Sequence, residues 1–173
     1  MKRVLITGAS GLIGSELAKF LSQNNFEVIK LVRSKNNSLK TFLWNVENEF
    51  IENGALENLD YIIHLAGAGI GDKRWTQKRK KEIINSRVKS TELLFNEIVK
   101  LKNKPKAIIS ASAVGYYGAT SSNKLFSEID PPANDFQGMV CRMWEASSSK
   151  FEQLAIRAVQ LRFGVVLSKN GGA

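Results

Sequence analysis

The segment that most constrains the fold is V-L-I-T-G-A-S-G-L-I-G, which spans Val4–Gly14. Apolar residues typical of a strand end at Thr7, three glycines follow at fixed spacing, and a helix-period pattern through Ile13, Leu17 and Leu21 begins directly afterwards. A glycine turn between a strand and a helix is the start of a βαβ unit. The segment therefore predicts an α/β domain organised around parallel strands.

The rest of the chain alternates in the same way between short apolar runs and helix-period stretches. The runs are continuous and rich in Val, Ile and Leu, as expected for strands covered on both faces of a parallel sheet. We predict a Rossmann-type doubly wound parallel sheet of order 3-2-1-4-5-6 in one domain over residues 1–173. The predicted strands are Val4–Thr7, Glu27–Val32, Lys40–Trp44, Tyr61–Ala66, Ala107–Ser112 and Val159–Leu167, and the predicted helices are Leu12–Gln23, Gln77–Leu101 and Gly138–Arg157. On the long helix, the predicted buried side carries Ile84, Val88, Thr91, Phe95 and Ile98.

The composition is that of an ordinary globular protein, with 43% hydrophobic and 24% charged residues. No apolar run is long enough to cross a membrane, and because glycines, Glu16 and Lys19 interrupt the apolar N-terminal segment we expect no signal peptide. A single cysteine permits no internal disulfide, so we expect a reducing, cytoplasmic environment and no membrane contact.

The formal charge is +9, and the densest basic cluster, D-K-R-W-T-Q-K-R-K-K-E, runs from Asp72 to Glu82. We interpret this cluster as a solvated loop followed by the start of a helix. Contact with an anionic small ligand is the alternative interpretation. No recognisable nucleic-acid-binding motif accompanies the cluster, so we expect no nucleic-acid partner.

The glycine turn has the features of a dinucleotide-binding loop. Gly8 permits the tight turn, Gly11 lets the backbone approach a pyrophosphate, and Gly14 allows the helix to pack closely on the strand. The diphosphate would lie on the N-terminal amides of the helix that starts near Leu12. The turn therefore predicts a dinucleotide site, with a glycine-rich turn that binds no ligand as the alternative.

The end of the second predicted strand distinguishes between the two nicotinamide dinucleotides. An acidic residue there binds the adenosine ribose hydroxyls and favours NAD. In E-V-I-K-L-V-R-S-K the acidic residue, Glu27, is at the wrong end, and Arg33, Ser34 and Lys35 stand at the carboxyl end. Because a guanidinium fork suits a 2′-phosphate, we predict NADP as the preferred cofactor, with NAD as the alternative. A solvent-facing charge without a ligand is the other interpretation of Arg33.

Two further segments resemble the extended short-chain dehydrogenase/reductases, the class of sugar-nucleotide epimerases and reductases: I-I-H-L-A-G at Ile62–Gly67 and S-A-S-A-V-G-Y-Y-G at Ser110–Gly118. A narrower resemblance is to the atypical "epimerase family" proteins, described as NAD-dependent epimerase/dehydratase-like and in some cases as cell-division inhibitors. It rests on R-W-T-Q-K-R-K-K-E-I-I-N-S-R-V-K-S-T (Arg74–Thr91), V-C-R-M-W-E (Val140–Glu145) and L-R-F-G-V-V-L-S-K-N-G-G-A (Leu161–Ala173). The resemblance covers essentially the whole chain, and it implies a fragment from which the substrate lobe of a longer protein is missing.

The resemblance also implies roles for particular residues. The implied diphosphate contacts are Gly8, Ser10, Gly11, Leu12, Ile13 and Gly14, the adenosine-phosphate contacts are Arg33 and Ser34, the loop under the cofactor is Leu65, Ala66 and Gly67, and the residues near the nicotinamide are Ala111 and Ser112. Asn45 departs from the family pattern, in which an aspartate follows the tryptophan at position 44. A homodimer through the Gln77–Leu101 helix is a further expectation.

The family uses a tyrosine and, one helical turn later, a lysine for proton transfer, together with a serine that orients the substrate. The resemblance places Ser112 at the serine position, Cys141 at the tyrosine position and Glu145 at the lysine position. Because a carboxylate raises the pKa of a neighbouring thiol, a thiolate at Cys141 is disfavoured. The structural alternatives are a packing role for Cys141 and, for Glu145, an ion pair with Arg162 or Arg87.

Glu145 itself could serve as acid or base or bind ribose hydroxyls, and other side chains could also handle the proton. Tyr116 and Tyr117, which follow the fifth predicted strand, are alternative proton donors, and packing at the rim of the cleft is their structural interpretation. His64, the one histidine, lies in the middle of a predicted strand, and we interpret it as a core residue. No group of Cys, His, Asp and Glu has metal-ligand spacing.

Two hypotheses about function follow. The first is an NADP-dependent oxidoreductase or sugar-nucleotide-epimerase-like enzyme, which transfers a hydride to or from an unknown carbonyl or sugar-like substrate. The second is a non-catalytic NAD(P)-binding regulatory module that binds a protein partner. The replacement of the tyrosine and lysine by Cys141 and Glu145 favours the second hypothesis, whereas Ser112 and the glycine turn are compatible with both.

Overall fold

The computed structural model describes residues 1–34, 40–119, 123–169 and 171–172, and it shows a seven-stranded sheet with helices on both faces. The helices are α1 (Leu12–Gln23), α2 (Gln77–Val99) and α3 (Phe136–Ser149). The strands of the sheet are β1 (Lys2–Thr7), β2 (Phe26–Val32), β3 (Thr41–Asn45), β4 (Phe50–Ile51), β5 (Tyr61–His64), β6 (Ala107–Ala113) and β7 (Arg157–Phe163). A small antiparallel hairpin, β8 (Leu167–Ser168) with β9 (Gly171–Gly172), follows the sheet.

The strand order is β4-β3-β2-β1-β5-β6-β7, and every pairing between β3 and β7 is parallel. The six parallel strands thus have the predicted order, and the fold is the predicted doubly wound sheet. β4, which pairs antiparallel with the edge strand β3, was not predicted from the sequence. Two residues are too few to show a strand period, so this pairing is apparent only in the folded chain.

Alternate residues of the central strands pack on opposite faces of the sheet, which explains why the strands read as continuous apolar runs. On one face a large core joins the sheet to α2 and to the region after α3, and on the other a smaller core joins it to α1. The strand residues in the large core are Leu5, Ile29, Leu31, Trp44, Ile62 and Ile108, and those in the smaller core are Val4, Ile6, Val28 and Ile63. Both cores sit beneath the strand ends that carry the predicted site residues.

The long helix α2 begins and ends close to its predicted bounds, since Thr76 caps it by accepting a hydrogen bond from the Arg79 amide at 3.2 Å. The predicted buried side was partly wrong. Thr91 and Ile98 are buried as predicted, but Ile83 rather than Ile84 enters the core. Adjacent helical residues point about 100° apart, so either isoleucine fits an apolar stripe and only packing against the sheet selects one.

The region of α3 differs more from the prediction of one helix over Gly138–Arg157. The helix begins earlier, because Asp135 accepts a hydrogen bond from the Gly138 amide at 2.8 Å and so caps the first turn. After Ser149 the chain tightens into a 3-10 helix over Lys150–Leu154, and Ala155, whose φ is 58°, ends it. The left-handed backbone at this position is incompatible with a continuous α-helix.

The last parallel strand is shorter than predicted. β7 ends at Phe163 instead of Leu167, because its partner β6 ends at Ala113, the residue that lies opposite Phe163. Leu167 belongs to the separate β8–β9 hairpin. None of the helices in the described ranges is long and apolar enough to span a bilayer. The homodimer through α2 stays a prediction.

The basic cluster of residues 72–82 is mostly exposed, as interpreted, except for Arg79. This side chain is 6% exposed and donates to the Gly69 carbonyl oxygen, and it forms ion pairs with Glu82 at 2.7 Å and Asp72 at 3.5 Å. Arg79 therefore fastens the loop that follows β5 to the first turn of α2.

Candidate functional site

The glycine turn between β1 and α1 is constrained by the backbone. Gly8 has a φ of +71°, and a Cβ atom at this position would lie 2.8 Å from the carbonyl carbon and oxygen of Leu65. A Cβ atom on Gly14 would lie 2.2 Å from the Gly8 carbonyl oxygen. Both glycines are therefore required for the reasons that the sequence indicated: the first by a tight left-handed turn and the second by close packing of the helix on the turn.

Gly11 differs from these two glycines. It is the N-cap of α1 with extended backbone, and a Cβ atom there would meet the protein at an ordinary distance, 3.4 Å from the Gly8 carbonyl oxygen. No side chain in the described ranges caps this helix N-terminus. The turn borders a groove of about 640 Å³, which is lined by Ser10, Gly11, Leu12, Ile13, Ser15, Glu16, Val166, Ser168 and Lys169. Four of the six predicted diphosphate residues, all except Gly8 and Gly14, thus line an open groove at the start of a helix, and this arrangement fits a diphosphate.

The loop after β5, which carries Leu65, Ala66 and Gly67, packs directly on the glycine turn. The strand ends at His64 rather than at the predicted Ala66, because β1 turns away at Gly8. The chain stays in register for two more amides: Leu65 donates to the Thr7 carbonyl oxygen at 3.2 Å, and Ala66 donates to the Thr7 hydroxyl oxygen at 3.2 Å.

A buried hydrogen-bond chain holds this loop in place. His64 is fully buried between the Thr7 hydroxyl, 2.7 Å from its Nδ1, and the Ser90 hydroxyl of α2, 3.1 Å from its Nε2. Ser90 donates its proton to the helix carbonyls of Ser86 and Arg87, so it accepts from Nε2–H of His64. Nδ1 then accepts from Thr7. Burial lowers the pKa of His64 to about 4, which keeps the ring neutral and confirms the core interpretation.

Arg33 and Ser34 follow β2 directly and are exposed. Leu31 lies opposite Thr7 in the parallel pairing of β2 with β1, so these two residues project beyond the same edge of the sheet as the glycine turn. Lys35, the third residue of this predicted group, lies outside the described residues. The placement is the one expected for a contact with the adenosine end of a dinucleotide.

Ser112, on β6, is buried and donates its hydroxyl proton to Oε1 of Glu145 at 2.6 Å. The same carboxylate forms a bidentate ion pair with Arg162 of β7, with Nε–Oε1 at 2.8 Å and Nη2–Oε2 at 2.9 Å. Of the two ion-pair partners considered for Glu145, the structure therefore selects Arg162, and Glu145 in turn raises the pKa of the Arg162 guanidinium. Ala111 is buried on the opposite side of β6.

Both tyrosines of the loop after β6 contact the same guanidinium. Nη1 of Arg162 donates to the Tyr117 hydroxyl oxygen at 2.7 Å, and the guanidinium carbon lies 3.5 Å from the centre of the Tyr116 ring. The Tyr117 hydroxyl in turn donates a hydrogen bond to the Ser127 carbonyl oxygen at 2.9 Å. We call Ser112, Tyr117, Glu145 and Arg162 the Glu145 cluster.

Cys141 is 5% exposed on the face of α3 that carries Glu145 one turn later. Burial is the main cause that raises the pKa of its thiol, and the Glu145 carboxylate adds to the effect. The predicted rise in the pKa of the thiol is confirmed, but its largest cause is burial rather than the neighbouring carboxylate. The structure thus brings Ser112, Tyr116, Tyr117, Cys141 and Glu145 together, with the thiol in its protonated form.

Sequence reasoning underestimated Arg162, which contacts Glu145, Tyr116 and Tyr117 and was considered only as an ion-pair partner. It also missed Thr7, Ser90 and the residues Val166, Ser168 and Lys169 that border the groove. A buried histidine in a predicted strand was the available signal for Thr7, since its ring nitrogens require partners. No local pattern marks the groove residues, which follow the last parallel strand.

The chain matches the sequence pattern of the NAD dependent epimerase/dehydratase family over residues 4–163. It belongs to this family. An epimerase family protein of Staphylococcus saprophyticus is 37% identical over 180 residues, and the match covers all of this chain and 58% of that protein. A counterpart from Staphylococcus aureus is 36% identical over 176 residues, with the same coverage.

Two solved structures share the fold and part of the sequence. A nucleoside-diphosphate sugar epimerase from Corynebacterium glutamicum superposes with a TM-score of 0.85 at 33% identity, over 99% of this chain and 35% of that one. The human epimerase family protein SDR39U1, solved with NADPH, superposes with a TM-score of 0.83 at 31% identity, over 99% of this chain and 56% of that one. The chain therefore spans little more than half the length of the curated relatives it matches.

Proposed function

We propose that this chain binds a nicotinamide dinucleotide, preferably NADPH, as the cofactor-binding part of an oxidoreductase or epimerase-like enzyme. The observation that carries the proposal is the glycine turn. Gly8 and Gly14 are required by the protein's own packing, whereas Gly11 leaves space at the uncapped N-terminus of α1, where a diphosphate would bind. The human relative that was solved with NADPH supports the same assignment.

The preference for NADPH rests on Arg33. Its side chain is exposed at the carboxyl end of β2, on the edge of the sheet that carries the glycine turn. A guanidinium there would pair with a 2′-phosphate, whereas no acidic residue stands at this strand end to bind ribose hydroxyls. NAD remains the alternative cofactor.

The reacting end of the site would lie at the Glu145 cluster. A bound nicotinamide supplies or accepts a hydride at the carbon of a carbonyl or sugar-like substrate, and the substrate oxygen then gains or loses a proton. We assign Ser112 to orient the substrate by accepting a hydrogen bond from a substrate hydroxyl, since its own proton is donated to Glu145. Glu145 is held by Arg162, the Tyr117 proton is engaged by Ser127, and Cys141 is buried and protonated.

Tyr116 is therefore the proton donor that we assign. Its ring is partly buried against the Arg162 guanidinium, and its hydroxyl makes no hydrogen bond to the part of the chain that the structure describes. A phenol whose proton is not engaged by any described residue is available to exchange it with the substrate oxygen. The Tyr116→Phe variant should then lose turnover while its affinity for NADPH is unchanged.

The alternative function is a regulatory module that binds NAD(P) without turnover and recognises a protein partner. The bidentate pair of Glu145 with Arg162 favours it, because an ion pair that stabilises the fold occupies the position of the family's lysine. Steady oxidation of NADPH with a panel of carbonyl compounds, followed at the nicotinamide absorbance, would support the enzyme. Saturable cofactor binding without turnover, together with a co-purifying protein, would support the module.

The first experiment is a titration with NADPH and, separately, with NADH, followed by nicotinamide fluorescence. We expect NADPH to bind more tightly, and Arg33→Ala to weaken it about tenfold, or about 1.4 kcal/mol, with little effect on NADH. Arg157→Ala is the matched control, since Arg157 is also exposed but begins β7 at the opposite edge of the sheet. Absence of saturable binding for both nucleotides would refute the proposal.

A further inference from the structure

Arg87, on α2, is a partly buried cation without a carboxylate partner. Its hydrogen bonds within the described chain are donated by Nη1 to the helix itself, to the Ile83 carbonyl oxygen at 3.1 Å and to the Ser86 hydroxyl oxygen at 3.4 Å. No Asp or Glu among the described residues lies within ion-pair distance of it. Burial lowers the pKa of this guanidinium, because the surrounding protein does not compensate for its lost hydration.

The two other buried or partly buried arginines of this region are neutralised. Arg79 pairs with Glu82 and Asp72, and Arg162 is held by both oxygens of Glu145. These pairs stabilise the fold and neutralise both guanidinium groups with carboxylates. Arg87 differs because Nε and Nη2, which form one edge of its planar fork, donate to none of the described residues.

The guanidinium lies beside both parts of the proposed site. A Cβ atom on Gly67, in the loop under the proposed cofactor, would come 3.2 Å from the guanidinium carbon of Arg87. The guanidinium also lies over the Trp144 ring of α3, 5.0 Å from its centre, and near Cys141 of the same helix. The uncompensated charge thus stands between the loop after β5 and the face of α3 that carries Glu145.

We propose that Arg87 binds a carboxylate group of the substrate between the loop after β5 and α3. The planar fork matches the two oxygens of a carboxylate, and the charge of the ligand would compensate the buried cation. A phosphate dianion fits less well, because its larger charge calls for more than the single cation that Arg87 supplies. This inference rests on the proposed function and extends it by naming a substrate class.

The test uses oxamate as the probe, a small planar carboxylate, and oxamide as its neutral counterpart, both titrated calorimetrically into the protein saturated with NADPH. We expect saturable binding of oxamate and none of oxamide. Arg87→Gln should weaken oxamate at least tenfold with unchanged affinity for NADPH. Arg142→Gln, which removes an exposed guanidinium from α3, is the matched control and should bind oxamate like the wild type.

Arg87→Lys is a second variant in case Arg87→Gln does not fold. It keeps the positive charge and removes only the planar guanidinium. Weaker oxamate binding by this variant at normal thermal stability would still support recognition by the fork. Equal oxamate affinity in Arg87→Gln, tighter binding of inorganic phosphate than of oxamate, or no oxamate binding by the wild type would overturn the proposal. Failure to bind NADPH is a separate result that refutes the cofactor assignment, and oxamate titrated into the cofactor-free protein would then test Arg87 alone.

Discussion

The glycine turn and the Glu145 cluster lie at strand ends on the same edge of the sheet, but they are built in different ways. The turn consists of backbone from residues that are close in sequence, and two of its glycines are required because any side chain would collide with main-chain atoms. The cluster consists of side chains from β6, the loop after it, α3 and β7, in which Arg162 bonds to Tyr117 and Glu145, and Ser112 bonds to Glu145.

This difference affects how each region tolerates change. A backbone turn is specified residue by residue, so it keeps the family's glycines and remains recognisable. A side-chain cluster can exchange its members if the new groups satisfy one another, as Ser112, Glu145 and Arg162 do here. The cofactor assignment therefore follows from the family more directly than the chemistry does.

The strongest test of the cluster is Arg162→Met. It removes the partner of a carboxylate whose side chain is 14% exposed, and we expect the free energy of unfolding to fall by about 4 kcal/mol, because a buried charge is left uncompensated. Urea unfolding measures the loss. In the double variant with Glu145→Gln part of the stability should return, and a loss below about 1 kcal/mol in the single variant would mean that the pair is solvated.

The corresponding test of the turn is Gly14→Ala, which places a methyl group 2.2 Å from the Gly8 carbonyl oxygen. We expect a loss of about 3 kcal/mol in the free energy of unfolding and loss of NADPH binding, since the helix must move away from the turn. Gly11→Ala is the matched control. Its Cβ atom makes an ordinary contact, so the variant should lose about 1 kcal/mol or less in the free energy of unfolding. It should nevertheless bind NADPH more weakly, because the methyl group lies where the diphosphate would bind. Equal stability of the two variants would contradict this assignment.

A third test concerns His64, which joins the turn to α2. Its pKa is about 4 in the folded protein and 6.5 in the unfolded chain, so the unfolded chain takes up the proton first as the pH falls. Stability is therefore highest above the unfolded value, and we expect a loss of about 2 kcal/mol between pH 7 and pH 5.

Thermal and urea unfolding between pH 5 and pH 7 measure how the free energy of unfolding changes with pH. His64 is the one histidine of the chain and most carboxylates titrate lower, so His64→Gln should abolish the slope even though it lowers stability overall. A variant that keeps the slope would assign it to another group.

The smallest effect is expected at Cys141, an uncharged residue that lies outside the Glu145 cluster, one turn before Glu145 on α3. Cys141→Ala should lower the free energy of unfolding by about 1 kcal/mol, since a small buried group is lost. Iodoacetamide should alkylate the folded protein at pH 8 at least about tenfold more slowly than free cysteine, because burial raises the pKa of the thiol and limits access. Rapid alkylation would show that the thiolate is stabilised after all.

How far the sequence determined the fold depends on the distance over which each feature is specified. The bounds of α1 agree with the prediction because a glycine turn starts the helix and the apolar stripe is local. The order of the parallel strands also agrees, since right-handed βαβ connections allow few arrangements. The shorter β7 and the break at Ala155 were missed, because they depend on the length of β6 and on a left-handed residue that composition does not mark.

The same division applies to the candidate site. The sequence by itself determined the glycine turn, the basic end of β2 and the group of residues around Ser112, because each is a short pattern with a direct physical meaning. Only the tertiary structure decided that Glu145 pairs with Arg162 and that His64 bridges Thr7 and Ser90. It also decided that Nε and Nη2 of Arg87 donate to none of the described residues. These contacts join residues far apart in the chain, and their partners are chosen by packing and by the need of buried polar groups for hydrogen bonds.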